Sequence, residues 1–192
     1  MARRLRTIPP DSVVHVVNRG NERRRLFDRP RDYDDFLWLI DHAAGRVSIR
    51  LLGYVVMPNH WHLVLWPRDV AELSQFLHCL TTSHAARFRY ATATMGLGHV
   101  YQGRYRSSVV DGDIRFFRTL RYVEANPVRA NLVRRAEDWP WSSFRERLNV
   151  AQRIVDGPVA LPCPADWARF VNGETVLDVR GNAAGSRSPD QP

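Results

Sequence analysis

Apolar positions change period several times along this chain. Residues 12–17 (Ser-Val-Val-His-Val-Val) are β-branched and bounded by Pro9-Pro10 and by Asn18-Arg19-Gly20-Asn21, the pattern of a strand that leaves into the basic loop 21–25. Over residues 31–44, Phe36, Leu37, Leu39 and Ile40 recur at helical spacing, with Asp32, Asp34 and Asp35 in the first turn, where the helix dipole favours acids. Gly45 is the expected end of that helix. Residues 48–56 and 60–66 are two β-rich runs separated by Met57-Pro58-Asn59, which predicts a hairpin. A second helix opens at Arg68 or Asp69, and Val70, Leu73, Phe76, Leu77, Leu80, Ala85 and Phe88 mark its apolar side to about Tyr90. A short strand over 106–111 and a third helix over 115–125, stopped by Pro127, follow.

The predicted order is β-α-β-β-α-β with an extra helix. That is an α+β, ferredoxin-like split βαβ arrangement, with an antiparallel sheet, two helices on one face and the further C-terminal helix carrying Tyr122. Beyond Leu148 the composition shifts, with Pro158, Pro162 and Pro164 breaking any periodicity and residues 181–192 small and polar. We therefore expect a domain over residues 1–148 and a partly disordered extension over 149–192.

Composition narrows the function classes. The 192 residues are enough for a core without a metal or disulfide framework, and Cys79 and Cys163 fall in no metal-binding or disulfide pattern. No run of about 18 apolar residues occurs, so a cytoplasmic, nucleoid-associated location is expected rather than a membrane. The net charge is +8, and all 28 basic residues are arginine. GC-rich coding accounts for the missing lysine, but the basic excess still directs attention to a nucleic-acid partner.

Two constellations carry chemistry. In a strand, side chains alternate, so His60 and His62 of His60-Trp61-His62 project from one face, as half a divalent-metal site, while Trp61 points the other way into the core. The spacing excludes a helical HExxH zinc site, and the remaining ligand must come from elsewhere in the chain. On the helix over 115–125, Phe116, Leu120 and Val123 form the packing face, while Arg115, Arg118, Tyr122 and Asn126 follow one another on a different face. A tyrosine hydroxyl is a competent nucleophile toward phosphorus if a metal polarises the phosphate, and the Asn126 oxygen suits Mg²⁺ or Mn²⁺.

Met57-Pro58-Asn59-His60-Trp61-His62-Leu63-Val64 together with Tyr122-x-x-x-Asn126-Pro127-x-Arg129-Ala130 resembles the single-tyrosine HUH transposases. It is most similar to their REP-associated tyrosine transposase branch. Asn18-Arg19-Gly20-Asn21, Tyr101-Gln102-Gly103-Arg104-Tyr105 and Glu137-Asp138-Trp139-Pro140-Trp141-Ser142-Ser143 also match that branch, and the resemblance covers roughly residues 12–148.

It implies His60, His62 and Asn126 as ligands of Mg²⁺ or Mn²⁺ and Tyr122 as the nucleophile, which forms a 5′-phosphotyrosine link and frees a 3′-hydroxyl. One departure is Asn126, where many insertion-sequence relatives carry glutamine. The implied substrate is single-stranded DNA folded as an imperfect hairpin, with Arg19, Arg23, Arg24, Arg25, Arg104, Arg106, Arg118 and Arg121 as phosphate contacts and Tyr101 and Tyr105 as stacking surfaces. Trp139 and Trp141, fixed by Pro140, are assigned to packing. A monomer is expected, with a homodimer as the alternative. Two other functions fit the same residues: a domesticated sequence-specific DNA-binding protein with little cleavage, and a phosphoesterase that activates water without a covalent intermediate.

Overall fold

The computed structural model describes residues 8–148 and 166–173. The element order is β1 (Val13–Arg19), α1 (Pro30–Val47), β2 (Arg50–Met57), β3 (His60–Trp66), α2 (Val70–Ala91), β4 (Arg106–Val110), α3 (Asp113–Glu124), α4 (Asn126–Arg129), α5 (Ser143–Leu148) and α6 (Trp167–Val171). The strands form one antiparallel sheet in the order β2-β3-β1-β4. Because β3 lies between β1 and β2, the β1-α1-β2 unit is split, as the alternation of elements predicts.

Local chemistry explains where the helices begin. Pro30 supplies a preset φ to α1, and the Asp32 carboxylate accepts the backbone N–H groups of Arg29 (2.9 Å) and Asp28 (3.0 Å). Asp69 caps α2 by accepting the Glu72 N–H at 2.8 Å, and Glu72 reaches back to the Arg68 N–H at 2.6 Å. The ends are less local. Gly45 does not stop α1: the helix runs on to Val47, and Ser48 terminates it in a left-handed conformation (φ 56°). A single glycine in a helix interior costs only about 1 kcal/mol, less than the packing of Tyr33, Phe36, Leu39, Ile40 and Ala43 on the same helix supplies.

The sheet has two unlike faces. On one, Val14, Val16, Trp61, Leu63 and Leu65 pack under α1 and α2, with Phe36 and Trp61 ring centroids 5.8 Å apart. A buried relay joins these layers: Trp61 Nε1 donates to the Tyr101 hydroxyl (3.2 Å), which meets His84 Nδ1 at 2.6 Å. Indole can only donate, so the tyrosine oxygen accepts from Trp61 and gives its own proton to a neutral His84. Burial holds the His84 imidazole down at about 3 and pushes the Tyr101 phenol up. Tyr101 is therefore a buried structural residue and not a surface on which bases stack.

Helix α3 covers the opposite face over β2 and β3. Gly53 makes the close approach feasible, since a Cβ there would lie 2.4 Å from Leu120 Cδ1. The outer edge of β2 is covered by the segment 139–142: the Val56 N–H donates to the Trp141 carbonyl (2.9 Å), and Trp139 Nε1 donates to the Val56 carbonyl (3.0 Å). Trp141 stacks on Tyr33 and donates to Asp34, so both tryptophans pack as expected.

Glu124, at the last turn of α3, is fully buried and collects three donors. Ser143 Oγ (2.7 Å) and Arg147 Nε (2.7 Å) reach its Oε1, and Trp167 Nε1 (2.8 Å) reaches its Oε2. Ser143 Oγ also accepts the Tyr54 N–H of β2 at 3.0 Å, and Arg147 donates to the Leu52 carbonyl. Residues 166–173 thus pack onto α3, a connection the composition beyond Leu148 does not signal. The segment 181–192, read as disordered, lies outside the described residues.

Glu124→Gln places an amide donor among these donors. It is expected to lower unfolding stability by about 3 kcal/mol, seen as a reduced urea midpoint at unchanged slope. A midpoint equal to that of the unaltered chain would show that the carboxylate does not hold the layers together.

Candidate active site

β1 and β3 put three imidazoles on the face beneath α3. Alternation in β3 places His60 and His62 together, as predicted, and the antiparallel register sets Val17 opposite His62 and Arg19 opposite His60. His15, two residues before Val17, comes to the same face, and its Nε2 lies 2.9 Å from His62 Nδ1. This residue was missed in the sequence: a single histidine within a β-branched run carries no motif, and only the β1–β3 register brings it to His62.

The three rings are held neutral. His62 is only 5% exposed. Burial, followed by the repulsion a charged His62 would meet from charged His15 or His60 and by the Arg19 guanidinium, holds its imidazole well below its ordinary value. Burial and the Arg19 guanidinium bring His60 down to about 4, against a hydrogen bond to Asn126 that favours its charged form. Burial also lowers His15. Neutral imidazoles keep the lone pairs that a cation needs.

Tyr122 and Asn126 come to the same place from the end of α3. The Tyr122 ring stands edge-on to His62 at 5.6 Å and to His15 at 6.0 Å, with 42% of the residue exposed. Arg129 lies 5.5 Å over its face. The Asn126 amide nitrogen donates to the Tyr122 carbonyl at 2.9 Å, and the side chain lies by His60, where it favours the charged imidazole. Since the amide nitrogen is committed to the helix, the Asn126 oxygen is the atom suited to a cation.

Tyr122 lines a cavity of about 1060 Å³ at the turn from β4 into α3, together with His15, Asp111, Asp113, Arg115, Arg118 and Thr119. The arginines divide into three groups. Arg19, Arg106 and Arg118 border the histidine face or the cavity, Arg106 through its register with Val17. Arg23, Arg24 and Arg104 are exposed on the loops flanking β1 and β4, and Arg25 pairs with Asp28 at 2.6 Å. Arg121 is not brought to the site: its guanidinium stacks 4.4 Å over Phe170 of α6. The loop Asn18-Arg19-Gly20-Asn21 has a structural role besides charge. The Gly20 N–H donates to the Asn59 carbonyl, next to His60, and a Cβ on Gly20 would sit 2.4 Å from the Arg24 carbonyl oxygen.

Among the described residues no group of three or more His, Cys, Asp or Glu side chains is placed to hold a metal ion. The donor set that does fit a divalent cation is neutral: the buried His62 imidazole, the half-buried His60 imidazole and the Asn126 oxygen.

The family described as Transposase IS200 like matches residues 10–126, and the chain belongs to that family. It is similar to the REP-associated tyrosine transposase of Escherichia coli (strain K12), 23% identical over 174 residues that span 84% of this chain and 90% of that protein. A solved REP-associated tyrosine transposase bound to a REP hairpin superposes with a TM-score of 0.61 at 18% identity, covering 99% of this chain and 100% of that one, so the two share a fold. A putative transposase from Deinococcus radiodurans R1 superposes at 0.44 with 20% identity over 64% of this chain and 95% of that one. No helix among the described residues is long and apolar enough to cross a membrane.

The depressed His60 value has a direct readout. In the metal-free protein its ring resonances should titrate with a midpoint near 4. A midpoint near the ordinary 6.5 would mean that burial and Arg19 do not hold this imidazole neutral.

Proposed function

We propose that this chain cleaves and rejoins single-stranded DNA bearing a hairpin, with Tyr122 as nucleophile and a covalent 5′-phosphotyrosine intermediate. The observation that carries the proposal is the placement of the half-exposed Tyr122 edge-on to His62 and His15, in the lining of a cavity that also takes in Arg115 and Arg118. His60, His62 and Asn126 would hold Mg²⁺ or Mn²⁺, which when bound supplies charge that polarises the scissile phosphate.

The rest of the chemistry belongs to the chain's own groups. The Tyr122 oxygen attacks phosphorus, the bond from phosphorus to the 3′-oxygen breaks, the phenolic proton leaves, and the departing oxygen takes a proton to become a 3′-hydroxyl. The phosphodiester energy is kept in the tyrosyl ester, so attack by a 3′-hydroxyl reverses the step without a nucleotide cofactor. Arg19, Arg106 and Arg118 bind phosphates close to the reacting centre, and Arg23, Arg24 and Arg104 extend the basic surface. A hairpin as substrate is supported by the superposition with a relative described as bound to a REP hairpin. Such a substrate places the protein with the nucleoid.

The test is incubation of the full chain with labelled single-stranded DNA from the flank of its own gene, with Mn²⁺, read on a denaturing gel. A covalent band is expected, absent in Tyr122→Phe and reduced at least about 100-fold in His62→Ala. Hydrolysis that persists in Tyr122→Phe would favour a water-activating phosphoesterase, and binding with no cleavage would favour a DNA-binding protein. Affinity should fall with salt at a log-log slope of about −0.7 per phosphate contacted on a single strand.

A further inference from the structure

His60 and His62 are held by their Nδ1 atoms in two different ways. His60 Nδ1 lies 2.7 Å from Asn59 Oδ1, an atom that only accepts, so His60 carries its proton on Nδ1 and keeps a lone pair on Nε2. His62 Nδ1 faces a ring nitrogen instead, His15 Nε2, at 2.9 Å. The two rings are within 10° of parallel with centroids 5.1 Å apart, so a nitrogen contact this short means that they meet edge to edge along a hydrogen bond. One nitrogen of the pair donates and the other accepts. If His15 donated, His62 would carry its proton on Nε2 and have no lone pair to offer.

We infer that His15 is a positioning residue that accepts the Nδ1 proton of His62 and so turns the His62 Nε2 lone pair, like that of His60, toward a divalent cation. The inference rests on the divalent-ion reading above. His15 acts through His62, in the place that a carboxylate or backbone carbonyl occupies behind most metal-binding histidines. It is suited to this place. β1 carries it on the β3-facing register, and the bonds from β1 to β3 and β4 on either side fix the strand from which it reaches.

The experiment uses the full chain with ¹⁵N-labelled histidine. In the metal-free protein, long-range proton–nitrogen correlation should show His62 with its proton on Nδ1. In His15→Leu, which fills the space without an acceptor, His62 should become a mixture of tautomers. Mn²⁺ affinity measured by calorimetry should weaken about 10-fold to 100-fold. His15→Gln, whose amide oxygen accepts at similar reach, should restore both readouts.

A His62 with its proton on Nε2 in the unaltered protein overturns the role of His15. So does a folded His15→Leu that binds Mn²⁺ as tightly as the unaltered chain. Should His15→Leu not fold, the unaltered spectrum and the Gln variant still decide. An unaltered chain that binds no Mn²⁺ overturns the divalent-ion reading itself, and calorimetry reports that separately from the tautomer.

Discussion

A buried carboxylate fixes the position of the reactive helix. Taking an isolated carboxylate out of water costs several kcal/mol, and that cost is offset only when its lone pairs are met by well-placed donors. Glu124 meets three, from α5 and α6, and through Ser143 and Arg147 the same cluster holds the backbone of β2. Moving α3 along the sheet would break several of these bonds together. Tyr122 lies about 200° around the helix from Glu124. The side chain that faces solvent is thereby anchored by one that never meets it. The hydroxyl proposed to react can be accessible to a polymer while its helix stays fixed, a combination that a loop would not provide.

The two faces of the sheet divide the work. The α1–α2 face is apolar apart from Asn18, near the end of β1, and the Trp61–Tyr101–His84 relay, whose members satisfy one another. The α3 face is only partly covered, and there the sheet carries His15, His60, His62 and Arg19. Both faces share strands, so each residue of the His60-Trp61-His62 tripeptide serves one layer in turn. Trp61 locks β3 to the closed layer, and that lock holds the imidazoles on either side in place. The two sheet edges differ in the same way. The edge of β2 is sealed by the segment 139–142, whereas β4 is short, presents Arg106 and Ser108, and runs into the turn that lines the cavity. A polar edge that carries an arginine can receive a nucleic acid strand without inviting another sheet.

Features governed by local periodicity were legible in the sequence. The alternation in β3 placed His60 with His62 and sent Trp61 inward, and helical spacing brought Asn126, at the start of α4, to Tyr122 near the end of α3. Features that depend on register or on distant partners were not. His15 reaches the site only because β1 pairs with β3, Tyr101 is buried because Trp61 and His84 close over it, and Arg121 turns away because Phe170 offers it a ring. Glu124 looks from its neighbours like a solvated acid at the end of an exposed helix. The end of α1 failed for a different reason: glycine weakens a helix without stopping it, and the stop was set by the left-handed turn at Ser48.

The charge of the site follows from its donors. A phosphodiester brings a negative charge to a chain of net charge +8, and every basic residue supplying that charge is an arginine. The imidazoles contribute none of it, because burial and Arg19 keep His60 and His62 neutral. With His60, His62 and Asn126 as the proposed ligands, the donor set is uncharged, and a bound dication would keep its full charge toward the phosphate rather than spend part of it on a carboxylate. That choice suits a site whose reaction must run in both directions. Under the proposed mechanism the strand ends are held by charge from the cation and from Arg19, Arg106 and Arg118, while Tyr122 stands against the neutral rings of His15 and His62 with the Arg129 guanidinium over its face, and Arg115 and Arg118 offset Asp111 and Asp113 in the lining of its cavity.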